Sequence, residues 1–326
     1  MNPSHDSTGR KFPDPHTSTS DEPSRPRFFV LPKSPSESGP GKISARGRYR
    51  EGAVIGSGGT AVIYQAFDWH RKQKVALKRF LQDLDGHEES LSAELLCASR
   101  LSHPNLMQIY EGGCDERGHF LAVELVEGKD LEERVSGQPL SLHSFHQVST
   151  QLLAGLQAIH RQGLLHLDLK PSNVMARSRD YNQEEIKIID FGRASLQTDA
   201  YGERPHGRGL DGSLHYVSPE QLLGSPLDVR TDLYAFGCVC YFLLSGQRPF
   251  QGANATQVMA AHLQNQVQPL HELCPDLPLE LSLWVMNLIS VRPEDRPQSC
   301  ADTLNLLLAI TPQTDAEQAS RISGAA

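Results

Sequence analysis

The chain has 326 residues, 38% of them hydrophobic and 21% charged, and a net charge of −8. That length and balance describe a soluble globular protein with one large domain or two lobes, and the acidic sign argues against nucleic acid as the main partner. Six cysteines, at 97, 114, 238, 240, 274 and 300, form no Cys-x-x-Cys pair, which fits isolated thiols in a reducing compartment and argues against a disulfide framework. The start, Met1-Asn2-Pro3-Ser4-His5-Asp6, lacks the apolar core of a signal peptide. The longest apolar run, Leu233 to Leu244, has twelve residues, which suits a buried helix and is too short to span a bilayer.

Residues 1–46 are rich in Pro, Ser, Thr and charge and poor in apolar side chains. Burial cannot offset the ordering entropy of such a segment, so a disordered leader is expected. The leader is also basic: residues 1–50 hold nine Lys/Arg and five Asp/Glu, a net +4 that leaves −12 for the rest. From Arg48 to Leu125 the pattern reads as strands, at Ala53-Val54-Ile55, Ala61-Val62-Ile63-Tyr64, Val75-Ala76-Leu77-Lys78 and Phe120-Leu121-Ala122-Val123-Glu124. One helix interrupts them over about 88–101, with Leu91, Leu95 and Ala98 on one face. Beyond Glu124 the periodicity turns helical. Phe145, Val148, Leu152, Leu156 and Ile159 form one stripe, and Gly163 ends that helix. Short apolar strands flank Asn173 and cover Ile186 to Ile189. Further helices are expected over 218–223, 228–245, 255–264, 279–290 and 300–309, followed by a polar tail.

The segment His166-Leu167-Asp168-Leu169-Lys170-Pro171-Ser172-Asn173-Val174 concentrates the chemistry. Phosphoryl transfer needs a carboxylate to orient the attacking hydroxyl, a cation for the phosphate and an oxygen ligand for Mg²⁺, all in close quarters. Asp168, Lys170 and Asn173 supply that set. Sixteen residues after Asn173, Ile189 leads into Asp190-Phe191-Gly192, whose carboxylate would complete a metal site. Upstream, Gly56-Ser57-Gly58-Gly59-Thr60-Ala61-Val62-Ile63 lies between two strand-like segments. Glycines there let backbone N–H groups approach a phosphate closely, although a plain hairpin turn would read the same way. Fifteen residues beyond Ile63, the strand Val75-Ala76-Leu77-Lys78 ends on a lysine.

In order and spacing these motifs resemble those of eukaryotic-like protein kinases. The Gly-Ser-Gly-Gly-Thr loop and the Tyr-Val-Ser-Pro-Glu-Gln run resemble the bacterial Hanks-type serine/threonine branch. The resemblance covers about residues 48–311. It implies an α+β, bilobal protein-kinase-like fold: a small antiparallel-sheet N-lobe over 47–126 with one helix, and a larger, mainly helical C-lobe over 127–311. Residues 1–46 and 312–326 then flank the domain as leader and tail. It also implies ATP and Mg²⁺ as cofactors, with Mn²⁺ as a substitute, transfer of the γ-phosphoryl group to Ser or Thr of protein substrates, and autophosphorylation. A cognate protein phosphatase is a further implied partner. Many Hanks-type kinases carry a membrane span after the kinase domain; this chain stops before one, which implies a cytoplasmic form.

The resemblance also assigns residues. Asp168 is the base or hydroxyl-orienting group, and Lys170 steadies the γ-phosphate. Asn173 and Asp190 bind the metal. Lys78 holds the α/β-phosphates and pairs with Glu94, leaving Glu88 and Glu89 as ordinary helix N-terminal carboxylates. Ile55, Gly56, Ser57, Gly58, Gly59, Thr60 and Ala61 line the phosphate loop. Val123 is the gatekeeper, and the Glu124 carbonyl and Val126 N–H bond the adenine edge. Ile63, Ala76 and Met175 sandwich the adenine ring. Asp130 binds ribose or, alternatively, is a surface carboxylate in a helix N-terminal turn. The activation loop runs from Asp190 to Glu220, with Ser195, Thr198, Tyr201 and Ser213 as its hydroxyls, Ser213 lying near Asp168 and Lys170. Glu220 pairs with Arg296, and Asp232 anchors the catalytic-loop backbone. Two positions depart from the family. Ala61 replaces the third loop glycine, and Leu167 replaces the arginine that usually reads a phosphate on the activation loop. A small-molecule phosphotransferase would lack the Pro-Glu motif, Asp232 and Arg296, and a pseudokinase would have lost Lys78, Asp168 or Asp190; all are present.

Overall fold

A computed structural model describes residues 43–44, 47–58, 61–81, 88–180, 183–199 and 213–310. The expected leader over 1–46, apart from residues 43–44, the tail over 312–326, and Gly59, Thr60 and Tyr201 lie outside the described residues.

The N-terminal part is one antiparallel sheet. Its strands are β1 (Ile43–Ser44), β2 (Tyr49–Ser57), β3 (Ala61–Asp68), β4 (Gln73–Phe80), β5 (Ile109–Asp115) and β6 (Gly118–Glu124), in the order β1-β2-β3-β4-β6-β5. Helix α1 (Glu88–Arg100) packs on it. Each predicted strand falls inside one of these, and the predicted helix matches α1. Strand β1 corrects the leader boundary, because Ile43 pairs with Arg50 and Ser44 with Tyr49 inside the stretch expected to be disordered. Backbone pairing with an existing strand needs no apolar pattern, so composition gives no sign of it.

Strand β5 has no counterpart among the predicted strands, because Gly112 and Gly113 interrupt its alternation. Packing accounts for them. A Cβ at Gly112 would lie 2.5 Å from Leu95 Cδ2 on α1. The missing side chain lets α1 settle close to the sheet, which fixes the height of its inward-facing residues.

The C-terminal part is mainly helical: α2 (Leu131–Val135), α3 (Leu142–His160), α4 (Pro219–Leu223), α5 (Val229–Ser245), α6 (Ala255–Leu263), α7 (Leu270–Leu273), α8 (Leu279–Leu288) and α9 over 300–310. Short strands lie at its junction with the N-lobe. β7 (Lys129–Asp130), β9 (Val174–Asp180) and β10 (Gln183–Ile188) form one sheet, and β8 (Leu164–Leu165) pairs with β11 (Ser195–Leu196). Helix α3 starts three residues before its apolar stripe, because Ser141 Oγ caps it by accepting the Ser144 N–H at 3.2 Å. It stops before Gly163, whose φ of +68° suits glycine. Helices α2 and α7 were invisible to periodicity, being only five and four residues long.

Helix α5 is the axis of this lobe, with every residue from Thr231 to Leu244 buried. Trp284 of α8 meets Phe145 of α3 and Phe236 of α5 edge-on, at ring separations of 6.5 and 6.0 Å. All six cysteines are free thiols.

Candidate active site

The upper half of the cleft is built on β4 and α1. Lys78, in register with Ile63 on β3 and Leu121 on β6, extends its ammonium to Glu94 and to Asp190 Oδ1, the latter at 3.0 Å. Glu94 is fully buried on α1. One cation thus faces two carboxylates. Burial pulls the Lys78 ammonium down, but Glu94 and Asp190 outweigh it and hold it above its usual range. Burial pushes the Asp190 carboxyl up, yet Lys78 and the Gly192 N–H bring it below the ordinary value. Glu94 takes the opposite course: burial lifts it to about 7 against the pull of Lys78, with the charge of Asp190 adding to the lift.

The lower half hangs from Asp232 on α5, a fully buried carboxylate. Its Oδ2 accepts the His166 N–H and its Oδ1 the Leu167 N–H, both at 2.9 Å. His160, at the end of α3, places Nε2 2.8 Å from the same Oδ2. Burial pushes Asp232 up, but the His160 contact dominates and its carboxyl stays below the usual range. The clamp holds Leu167 at φ +64°, and Asp190 sits at +63°. Both are conformations that L-residues adopt only under constraint. The His166 ring packs edge-on against Phe191, at 5.6 Å.

From this loop three polar side chains converge. Lys170 Nζ donates to Asp168 Oδ2 at 2.9 Å and to Ser213 Oγ at 2.7 Å. Asn173 Nδ2 donates to the Asp168 carbonyl at 2.8 Å and to Asp168 Oδ2 at 3.0 Å. The Ile189 N–H binds the Asn173 carbonyl at 2.9 Å, tying the segment before Asp190 to the loop. Asp168 is therefore oriented by two side chains and keeps Oδ1 outside these bonds. The amide oxygen of Asn173 and the carboxylate of Asp190 are hard donors of the kind Mg²⁺ takes. Among the described residues no cluster of three or more His, Cys, Asp or Glu could cage a metal.

Ala76 and Val123 are adjacent across β4 and β6 and buried, while Ile63 and Met175 are partly buried. Ile55 is half exposed on β2. A Cβ at Gly58 would meet nothing within 4 Å, and one at Gly56 would make only ordinary contact with Ile63. Packing does not require glycine at either position. The Gly58 N–H closes the turn onto the Ala61 carbonyl at 2.9 Å, and Ala61 itself is buried at the start of β3. Asp130 caps α2, its Oδ1 accepting the Glu133 N–H at 2.8 Å. That is the helix-turn alternative of the sequence reading, and it occupies one oxygen of the residue assigned to ribose. Val126 is partly exposed just past β6. Lys187, between Ile186 and Ile188 on β10, ties Glu124 at 3.0 Å to the Pro104 carbonyl at 2.8 Å.

Below the cleft, Arg296 binds Glu220 through two hydrogen bonds, at 2.7 and 2.9 Å. Thr231 Oγ1 adds a bond to Glu220 at 2.9 Å, and Gln221 Nε2 holds the Leu167 carbonyl at 3.1 Å. Ser195 lies in β11, paired with Leu165, and Thr198 is exposed two residues beyond that strand. Leu167 does not point at either through a polar group. It packs with Leu165, Leu227 and Val229 in a small apolar cluster. His160 and Lys187 belong to no motif, and their partners are 72 and 63 residues away along the chain; Gln221 closes the Tyr-Val-Ser-Pro-Glu-Gln run, but its partner is 54 residues away.

The chain belongs to the protein kinase family: the model of the protein kinase domain matches residues 49–313. A probable serine/threonine-protein kinase of Clostridium acetobutylicum is 32% identical over 264 residues, covering 80% of this chain and 39% of the relative. The serine/threonine-protein kinase pkn3 of Myxococcus xanthus is 34% identical over 262 residues, covering 77% and 48%. A probable serine/threonine-protein kinase PknB of Bifidobacterium longum is 33% identical over 266 residues, covering 77% and 37%. The aligned part of the chain thus spans less than half the length of each of these relatives.

Proposed function

We propose that this protein is a serine/threonine protein kinase that transfers the γ-phosphoryl group of ATP to Ser or Thr of protein substrates, including itself. The observation that carries this reading is the convergence of Asp168, Lys170 and Asn173 on one side of the cleft with Lys78, Glu94 and Asp190 on the other. ATP enters with adenine between Ala76, Ile63, Val123 and Met175, its edge on the Glu124 carbonyl and Val126 N–H, and its phosphates under the loop that includes Gly56 and Gly58. Lys78 holds the α/β-phosphates and is itself held by Glu94. Asn173 and Asp190 would hold Mg²⁺, or Mn²⁺ in its place, which would supply positive charge to offset that of the phosphates.

Asp168 accepts a hydrogen bond from the substrate hydroxyl and aligns its oxygen for in-line attack. The O–P bond forms as the bond to the ADP leaving group breaks, and the hydroxyl proton passes to Asp168 Oδ1. Lys170 offsets charge on the transferring group. Glu220, Arg296 and Gln221 brace the segment on which a polypeptide would lie, which supports protein rather than small-molecule substrates. Among the described residues no helix is long and apolar enough to cross a membrane; cytoplasmic action, and reversal by a cognate phosphatase, belong to the same proposal. The test is transfer of labelled γ-phosphate to a generic basic protein, followed by phosphoamino-acid analysis. Label on Ser or Thr that requires Mg²⁺ and vanishes in Asp190→Ala supports it. Label on neither, with ATP still bound, would make the protein a nucleotide-binding module.

A further inference from the structure

A side chain outside every motif reaches the carboxylate from which the catalytic loop hangs. Cys300 opens α9 and is buried. Its Sγ lies 3.4 Å from His160 Nδ1. The other ring nitrogen, Nε2, is 2.8 Å from Asp232 Oδ2. Asp232 in turn takes the N–H groups of His166 and Leu167, and Asp168 is the next residue. Sulfur, imidazole, carboxylate and catalytic-loop backbone thus form one unbroken chain of polar contacts across α9, α3 and α5.

We propose that Cys300 is a positioning residue for phosphoryl transfer: its sulfur accepts from His160 Nδ1–H and keeps Nε2–H on Asp232. The chemistry follows from what surrounds the ring. Burial disfavours the His160 imidazolium, but the Asp232 and Cys300 contacts reverse this and raise it to about 10. With both ring nitrogens protonated, both must donate. Nε2–H has Asp232. Nδ1–H has Cys300, which is weakly polar but present at the right place. A buried donor stripped of its acceptor is costly. The ring would escape that cost by shedding the Nδ1 proton or by turning. Either change weakens the ion pair, and Asp232 Oδ2 then rests on the His166 N–H alone. Besides each other, the His160–Asp232 pair feels Cys300 and the His166 ring. The loop that orients Asp168 would be less firmly fixed, and the effect would fall on turnover more than on nucleotide binding.

The proposal rests on the kinase reading, and its test separates the two. Wild type, Cys300→Ser and Cys300→Ala are compared in steady-state phosphotransfer and in histidine-selective ¹H–¹⁵N spectra without substrate. The expected result is that Cys300→Ala lowers kcat by roughly three- to tenfold with KM for ATP within about twofold, as for an interaction felt in the transition state. Cys300→Ser, which keeps an acceptor, retains most of kcat. His160 shows both ring nitrogens protonated in wild type and Cys300→Ser, and loses that signature in Cys300→Ala. Wild-type kcat in Cys300→Ala with an unchanged His160 spectrum overturns the proposal, as does Cys300→Ser behaving like Cys300→Ala. If Cys300→Ala does not fold, wild type decides: a neutral His160 ring at neutral pH overturns it. An inactive wild type with the doubly protonated ring would instead sink the kinase reading and leave the contact chain standing.

Discussion

Replacing Arg296 by Met should be among the most damaging single changes outside the reacting groups. The side chain is fully buried and uses all five of its N–H donors. Two go to Glu220, at 2.7 and 2.9 Å, and the others to the carbonyls of Ser290, Arg230 and Val291, at 2.8, 3.0 and 2.9 Å. The guanidinium also lies 4.7 Å from the centre of the Tyr234 ring. Methionine fills similar volume but leaves Glu220 as an unpaired buried carboxylate, which typically costs about 3–5 kcal/mol. For a domain of this size that corresponds to a fall in Tm of roughly 10 °C. The double variant Glu220→Leu/Arg296→Met removes the stranded charge and should recover a large part of the loss. Urea denaturation of wild type, both single variants and the double variant gives the cycle. A single-variant loss below about 1 kcal/mol, within the range of exposed pairs, would refute the reasoning, as would a double variant no more stable than the sum of the singles.

Lys78→Met should reduce phosphotransfer by roughly 10² or more, and adding Glu94→Leu should restore stability but not activity; steady-state rates and melting curves read both. Folded His160 is raised to about 10 from an ordinary 6.5, so its stabilisation is fully present below about pH 6.5 and is lost as pH rises toward 10. The urea midpoint of wild type should therefore fall over that window relative to His160→Gln, and parallel curves would contradict this. Leu167 offers apolar contacts with Leu165, Leu227 and Val229 where a phosphate-reading guanidinium is expected. Dephosphorylated and autophosphorylated enzyme should accordingly differ in initial rate by less than about tenfold, equivalent to ~1.4 kcal/mol; a larger rise, abolished in Ser195→Ala/Thr198→Ala, would show that another group reads the phosphate.

The parts of the fold legible in the sequence were those whose own side chains carry a period. The stripe on α3, the apolar run of α5 and the alternation in β3, β4 and β6 each bury one face or all of an element. β5 was hidden because Gly112 and Gly113 break its alternation and answer instead to Leu95 on α1 and Phe120 on β6. β1 was hidden because it contributes backbone rather than apolar surface. In the site, Lys78, Asp168, Lys170, Asn173 and Asp190 stood out through motif spacing, since each lies in a short segment of fixed geometry. The residues that hold them, His160, Lys187 and Cys300, act across the tertiary fold and lie at ordinary positions in ordinary elements. Asp130 marks the opposite limit: two readings suited the sequence, and only the cap on Glu133 shows how one of its oxygens is used.

The central claim is that Asp168, oriented by Lys170 and Asn173, receives the substrate hydroxyl during phosphoryl transfer. Single-turnover transfer from Mg-ATP to a basic protein substrate, wild type against Asp168→Asn, tests it most directly. Asparagine preserves shape and leaves the nucleotide site untouched. The transfer rate should fall by roughly 10² or more, through loss of proton acceptance and of hydroxyl alignment, with ATP affinity unchanged. Transfer at close to the wild-type rate by Asp168→Asn would contradict it.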